Sequence, residues 1–257
     1  MPRLRALLAT LAVLVAGLVG VGTAASPPAH ADECYTWPRT LSAGATGADV
    51  AELQVRVAGW AGYAVNMAVD GSFGAQTSQA VRGFQAAHGL SADGVAGPAT
   101  YAAIYALQDA DCTPAHFSWG EVDGGCGQGG YAGGSVGEAT VRQNLLRAMW
   151  RAEALRERMG GVPLTVTSGF RSQSCDRQVG GSGTGQHTYG TAIDLVGASF
   201  CGLAQNARYT GFGGIFGPGY PGHDDHVHVD VRAGRTWSAP SCSVSLGAAT
   251  RSSNLGG

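Results

Sequence analysis

Between residues 41 and 107, apolar positions recur at helical spacing, and each run is opened by a polar turn. Val50, Leu53 and Val57 predict a first helix from Asp49. Asp70-Gly-Ser-Phe-Gly74 reads as a turn with two glycines. Thr77 opens a second helix carrying Ala80, Val81 and Phe84. Gly89-Leu90 and Asp93-Gly94 form a second turn. Gly97-Pro98-Ala99-Thr100 opens a third helix, with proline in the first turn, where its missing N–H does no harm. Leu53, Phe84 and Ile104 are read as core.

The pattern lapses from Thr113 to Gly137, a Gly-rich stretch read as a linker passing into an ordered arm. Glu138 to Met159 resumes the helical rhythm, with Leu145, Leu146, Met149, Trp150 and Leu155 on its apolar side. Gly160-Gly161 ends it. The period then shortens. Leu164 to Ser168 is a strand by β-branched content, and Thr191 to Val196 is a strand apolar on both faces. Gly202 to Gly211 is read as a helix. His226 to Val231 alternates His or Asp with Val, so one face of that strand is polar. The fold class is α+β. A small three-helix N-terminal domain (32–112) precedes a second domain (113–246), with a small antiparallel sheet flanked by helices and long Gly-rich loops. Residues 247–257 read as a loose tail.

The N-terminus changes this picture. Arg3 and Arg5 precede an apolar run from Ala6 to Gly22, followed by Pro27, Pro28 and Ala29-His30-Ala31. That is the layout of a signal peptide (1–31) cleaved after Ala31, and the run is slightly short for a membrane span. A secreted chain, free of the membrane after cleavage, is expected. The net charge is −2, and removing 1–31 deletes two Arg and no acid, so 14 − 18 gives −4. A nucleic-acid binder would show a basic patch instead, so that class is excluded. Six cysteines remain, Cys34, Cys112, Cys126, Cys175, Cys201 and Cys242, with no C-x-x-C pair. An even number in an exported chain predicts disulfides rather than thiolate metal ligands, and 15 pairings are possible.

Candidate chemistry lies in two stretches. Gly185-Gln-His187-Thr-Tyr-Gly-Thr-Ala-Ile-Asp194 is one, and Gly222-His223-Asp224-Asp225-His226-Val-His228-Val-Asp230 is the other. Zinc in a hydrolase takes three ligands from His and Asp or Glu and keeps a fourth position open. Asp194 sits inside an apolar strand, where an unpaired carboxylate is costly and a metal is a natural partner. His226, His228 and Asp230 share one strand face. Spacing alone leaves four histidines and several acids as candidates around one ion. Asp230 could orient a ligand histidine through its second ring nitrogen. His88 and His116 are read as surface residues.

Two resemblances narrow this. D-G-x-F-G-x-x-T-x-x-A-V-x-x-F-Q and G-L-x-x-D-G-x-x-G-x-x-T, at residues 70–85 and 89–100, closely resemble the peptidoglycan-binding domain of bacterial wall hydrolases. Ser168-Gly-Phe-Arg171, His187-x-x-Gly-x-Ala-x-Asp194 and Gly222-His223-x-Asp225-His226-x-His228 resemble the zinc D-Ala-D-Ala carboxypeptidase family, which includes the vancomycin-resistance D,D-dipeptidases. The resemblance implies one zinc ion per chain on His187, Asp194 and His228, and Asp225 as catalytic base. It implies Arg171 as the oxyanion- or substrate-holding arginine, and His223 as a catalytic and substrate-contacting histidine. His226 is read as a substrate-contacting neighbour of the metal rather than a ligand. It also implies disulfides Cys34–Cys112, Cys126–Cys175 and Cys201–Cys242. One departure is Gly185, where the family usually has Ser. The implied activity is a secreted, wall-associated, monomeric D,D-carboxypeptidase that cuts the terminal D-Ala-D-Ala bond of peptidoglycan stem peptides with a zinc-activated water. The alternatives are a cross-link endopeptidase and a catalytically silent zinc protein that binds the wall.

Overall fold

A computed structural model describes residues 34–246. The expected signal peptide, its cleavage point and the C-terminal tail lie outside the described residues.

Three short helices build the N-terminal part: α1 (Ala48–Val57), α2 (Ala75–Ala87) and α3 (Pro98–Ala106). Val50, Leu53, Val57, Val81, Phe84 and Ile104 are buried in one cluster, as their spacing predicts. The two Asp-Gly turns repeat one device. Gln54 of α1 accepts from the N–H groups of Asp70 and Gly71, and its amide donates to Asp70 Oδ1, Ser72 O and Thr77 Oγ1. Gln85 of α2 accepts from the Gly94 N–H and donates to Asp93 Oδ1, Val95 O and Thr100 Oγ1. Both glutamines are buried, so each satisfies a turn that would otherwise strand polar backbone. Several residues of the repeated D-G…T pattern are therefore accounted for by folding.

The remainder joins α4 (Glu138–Arg158), α5 (Gln173–Gln178) and α6 (Phe200–Ala207) to a six-stranded sheet. Its strands are β1 (Thr165–Ser168), β2 (Ala192–Val196), β3 (Gly214–Phe216), β4 (Val227–Asp230), β5 (Thr236–Ala239) and β6 (Val244–Ser245). Their spatial order is β1-β2-β4-β3-β5-β6. Every pairing is antiparallel, as expected, except β3 with β5, which makes the sheet mixed. The chain returns from β4 to the far side of β3, so β5 runs in β3's own direction.

α4 serves two cores. Leu145, Met149 and Leu155 pack with Ile193, Leu195, Val227 and Val229 of the sheet, whereas Trp150 packs into the three-helix cluster. The stretch after Thr113 is more firmly placed than a linker. Phe117, Val122 and Tyr131 are buried in the sheet-side core, and the Phe170 N–H donates to Val122 O. Its glycines hide this anchoring in the sequence. The three disulfides join Cys34–Cys112, Cys126–Cys175 and Cys201–Cys242.

Candidate metal centre

β2 and β4 pair in a register that sets Asp194 directly opposite His228. Asp194 is the middle residue of Ala-Ile-Asp-Leu-Val, and His228 alternates with the core residues Val227 and Val229. His187 comes from a single helical turn, Gln186–Tyr189, immediately before β2. That turn ends at Gly190 with φ 68°, where a Cβ would stand 2.6 Å from Val141 O. Only glycine lets the chain reverse there against α4 and bring His187 back over the strand.

The three side chains converge. His187 Nε2 lies 3.1 Å from His228 Nδ1 and 3.3 Å from Asp194 Oδ1, and His228 Nδ1 lies 3.0 Å from Asp194 Oδ1. A tetrahedral zinc with bonds of about 2.0–2.2 Å has ligand-to-ligand edges of roughly 3.3–3.5 Å. The observed triangle is that size to within a few tenths of an ångström. The opposite ring nitrogens define the tautomers. His187 Nδ1 donates to Gly169 O at 2.6 Å, and His228 Nε2 donates to Asp230 Oδ2 at 3.1 Å. Neutral rings so tethered turn two nitrogen lone pairs and one carboxylate oxygen toward one buried point. That arrangement needs a cation, so the donor set fits a divalent metal.

The electrostatics agree. Burial holds His187 below its ordinary pKa, which favours the neutral ligand form. Burial also opposes charge on His228, but hydrogen bonds to the carboxylates of Asp194 and Asp230 outweigh it and raise the pKa. The carboxylates that draw a proton to His228 would draw a metal cation as well. Burial pushes Asp194 up, yet His187 and His228 hold it well below the usual carboxylate range.

The triad forms one wall of a cleft of about 580 Å³, whose lining includes Arg171, Gly185, Tyr220, His223 and His226. Arg171 follows β1 and donates from Nη2 to Asp194 Oδ2 at 2.8 Å and from Nε to Ser168 Oγ at 2.8 Å. It therefore holds the carboxylate oxygen that the triad leaves over. His223 donates from Nδ1 to Pro221 O at 2.9 Å, and burial lowers its pKa. His226 reaches the centre, with Nε2 3.7 Å from Asp194 Oδ1. Asp225 does not reach it. Its side chain is 89% exposed, and Oδ1 accepts from His226 Nδ1 at 2.7 Å. Asp224 accepts from the Gly219 N–H and so belongs to the loop turn. At Gly185 (φ −69°), a Cβ would meet nothing nearer than Asp176 Oδ2 at 3.7 Å, so serine would fit there.

Sequence reasoning missed two residues. Arg232 clamps Asp230 through its backbone N–H and its guanidinium. It continues the 226-228-230 alternation and was legible from that pattern. Asp176, buried beside Arg171 at 3.5 Å, sits on the short helix α5 and leaves no periodic signal. His116 is exposed, as read, and pairs with Glu153 of α4, whereas His88 is partly buried and pairs with Glu157 of the same helix.

The chain is 49% identical over 250 residues to the zinc D-Ala-D-Ala carboxypeptidase of Streptomyces albus G, spanning 90% of this chain and 97% of that protein. The chain belongs to the zinc D-Ala-D-Ala carboxypeptidase family. Residues 118–230 match the peptidase M15 family, which makes this a zinc metallopeptidase. Residues 46–104 match the putative peptidoglycan binding domain. The N-acetylmuramoyl-L-alanine amidase CwlM of Mycobacterium tuberculosis is 37% identical over 97 residues, covering 37% of this chain and 23% of that one. Among solved structures, the SleB N-terminal domain is 38% identical, over 28% of this chain and 96% of its own, with a TM-score of 0.25.

Proposed function

We propose that this chain is an exported zinc D,D-carboxypeptidase that removes the terminal D-Ala from peptidoglycan stem peptides. The observation that carries the reading is the convergence of His187 Nε2, Asp194 Oδ1 and His228 Nδ1 on one buried point in an open cleft. Zinc held there would supply Lewis acidity toward the scissile carbonyl and lower the pKa of an attacking water.

The remaining chemistry is divided among this chain's own residues. Asp225 acts as the base through His226. Its carboxylate fixes the His226 Nδ1–H at 2.7 Å and leaves Nε2 bare to accept a proton in the cleft. The hydrogen bond to His226 keeps Asp225 ionised well below neutrality. Arg171 has two jobs. Nη2 steadies Asp194, and the guanidinium edge facing the cleft holds a substrate carboxylate or a developing oxyanion. His223, neutral through burial, offers Nε2 to the scissile region.

Residues 32–112 serve as the wall-binding domain and 113–246 as the catalytic domain. Wall binding raises the effective concentration of stem peptides without any new catalytic contact. Three disulfides among the described residues suit an oxidising compartment, and no helix among them is long and apolar enough to cross a membrane. The chain acts as a monomer.

The test incubates the full chain with a stem peptide ending in D-Ala-D-Ala and, separately, with purified wall, each with and without chelator. Free D-Ala should appear, vanish with chelator and return with zinc. Chelator-insensitive release would overturn the zinc reading. Smaller wall fragments without free D-Ala would identify a cross-link endopeptidase.

A further inference from the structure

α4 carries two arginines four residues apart, Arg147 and Arg151, that no carboxylate answers. Among the described residues, neither takes part in an ion pair. Arg151 is 3% exposed. Its Nη2 donates to Met67 O at 3.1 Å and Asn66 Oδ1 at 3.3 Å, both neutral acceptors, and its buried Nε has no acceptor. Arg147 is half-buried and has no hydrogen-bond partner among the described residues. Burial pushes the Arg151 pKa down to about 10, Arg147 pushes the same way, and Asp230 opposes both. Asp230 is already committed to His228 and Arg232. Arg56 offers a contrast, since this equally buried arginine has Glu52 as its partner.

Like charges at this helical spacing repel, and burying a cation without a counter-ion is costly. Both arginines line one cavity of about 320 Å³ between the Asn66–Val69 loop of the three-helix part and Val231, Ala233 and Gly234 beyond β4. We propose that this cavity is a phosphate site, in which a phosphate dianion, free or as a monoester, lies between Arg147 and Arg151 at the seam of the two cores. The dianion balances both guanidiniums, whereas a carboxylate would balance one. The planar forks of arginine match phosphate oxygens. The cavity is also larger than a bare ion fills, which leaves room for the group a monoester carries. An occupant would bridge elements of both cores and stabilise the folded chain by mass action.

The test uses the zinc-loaded full chain. Tm is followed against inorganic phosphate and against KCl of matched ionic strength, and binding is measured by titration calorimetry with inorganic phosphate and with glycerol phosphate. A saturable Tm rise with phosphate alone is expected. Arg147→Gln, whose retained D-Ala release reports folding, should bind phosphate roughly tenfold or more weakly, the scale of one lost charge-assisted hydrogen bond. Arg147→Lys keeps the charge without the fork and should fall between. Tighter binding of glycerol phosphate would identify a monoester, and tighter binding of inorganic phosphate a free ion. An equal response to KCl and phosphate would overturn the proposal. So would unchanged phosphate affinity in Arg147→Gln, which would put the anion at the metal instead.

Discussion

Replacing Asp230 by Asn tests whether the metal centre depends on the residue behind His228. Asp230 is fully buried and accepts the His228 Nε2–H at 3.1 Å. Burial pushes its pKa up, but His228 and Arg232 outweigh this and hold the carboxyl at about 2, against an ordinary 3.8. A folded pKa below the unfolded one contributes stability that is present above pH 3.8 and is lost as pH falls through about 2. The difference corresponds to about 2 kcal/mol at neutral pH. An asparagine oxygen can still accept the N–H, but it brings no charge to polarise the ring. Loss of such a partner typically weakens metal binding 10- to 100-fold, or about 1.4–2.7 kcal/mol, which is the same scale. Competition with a zinc-chelating indicator at pH 7 should therefore show zinc held 10- to 100-fold less tightly by Asp230→Asn. Urea unfolding of the metal-free protein at pH 7 should show a loss of about 2 kcal/mol that shrinks below pH 4. Wild-type zinc affinity in the variant would refute the reasoning, because His228 would then need no acid to set its tautomer.

Asp225→Ala should keep its zinc, measured by metal analysis, while D-Ala release falls by roughly 100-fold or more; retention of most turnover would remove Asp225 from its role. His88 pairs with Glu157 across the two cores, and although burial opposes its charge, Glu157 raises its pKa above 6.5. That pair should stabilise the fold fully below pH 6.5 and less as pH rises through the raised value, and Glu157→Gln should flatten the dependence in urea titrations. Trp150→Ala removes a fully buried side chain from the cluster around Phe84 and Val57, so urea unfolding should show a loss of about 3–5 kcal/mol.

Legibility followed periodicity. Helices α1 to α4 could be read because Leu53, Phe84 or Met149 recur every three to four residues, and β2 and β4 because Asp194 and His228 break otherwise apolar strands. The strand pattern put His228 and Asp230 on one face, where both now lie. β3, β5 and β6 are two to four residues long, too short to show a period, and their burial comes from partners distant in sequence. Asp225 marks another limit. The resemblance implied it as the base, but it lies in the bend that precedes β4, where His226 reaches the centre and Asp225 faces solvent. The Gly-rich span 113–137 was opaque for a different reason. Three large residues anchor it, at spacings that match no regular element.

The anchoring of that span bears on how a wall-binding part would assist catalysis. A flexible linker would let the two parts sample many separations, and the gain in effective concentration would follow linker length. This chain is tied differently. Trp150 of α4 is buried among the three helices, while Leu145 and Met149 of the same helix are buried against the sheet. Asn66 donates to Arg232 O at 2.6 Å and accepts from Arg151, so the same loop touches α4 and the segment leaving β4. Separating the parts would expose Trp150 and break these bonds together. A wall strand held by the N-terminal helices would therefore meet the cleft in one orientation. The benefit of tethering then depends on geometry more than on reach, and stem peptides near the bound strand but outside that orientation would be cut no faster than free ones.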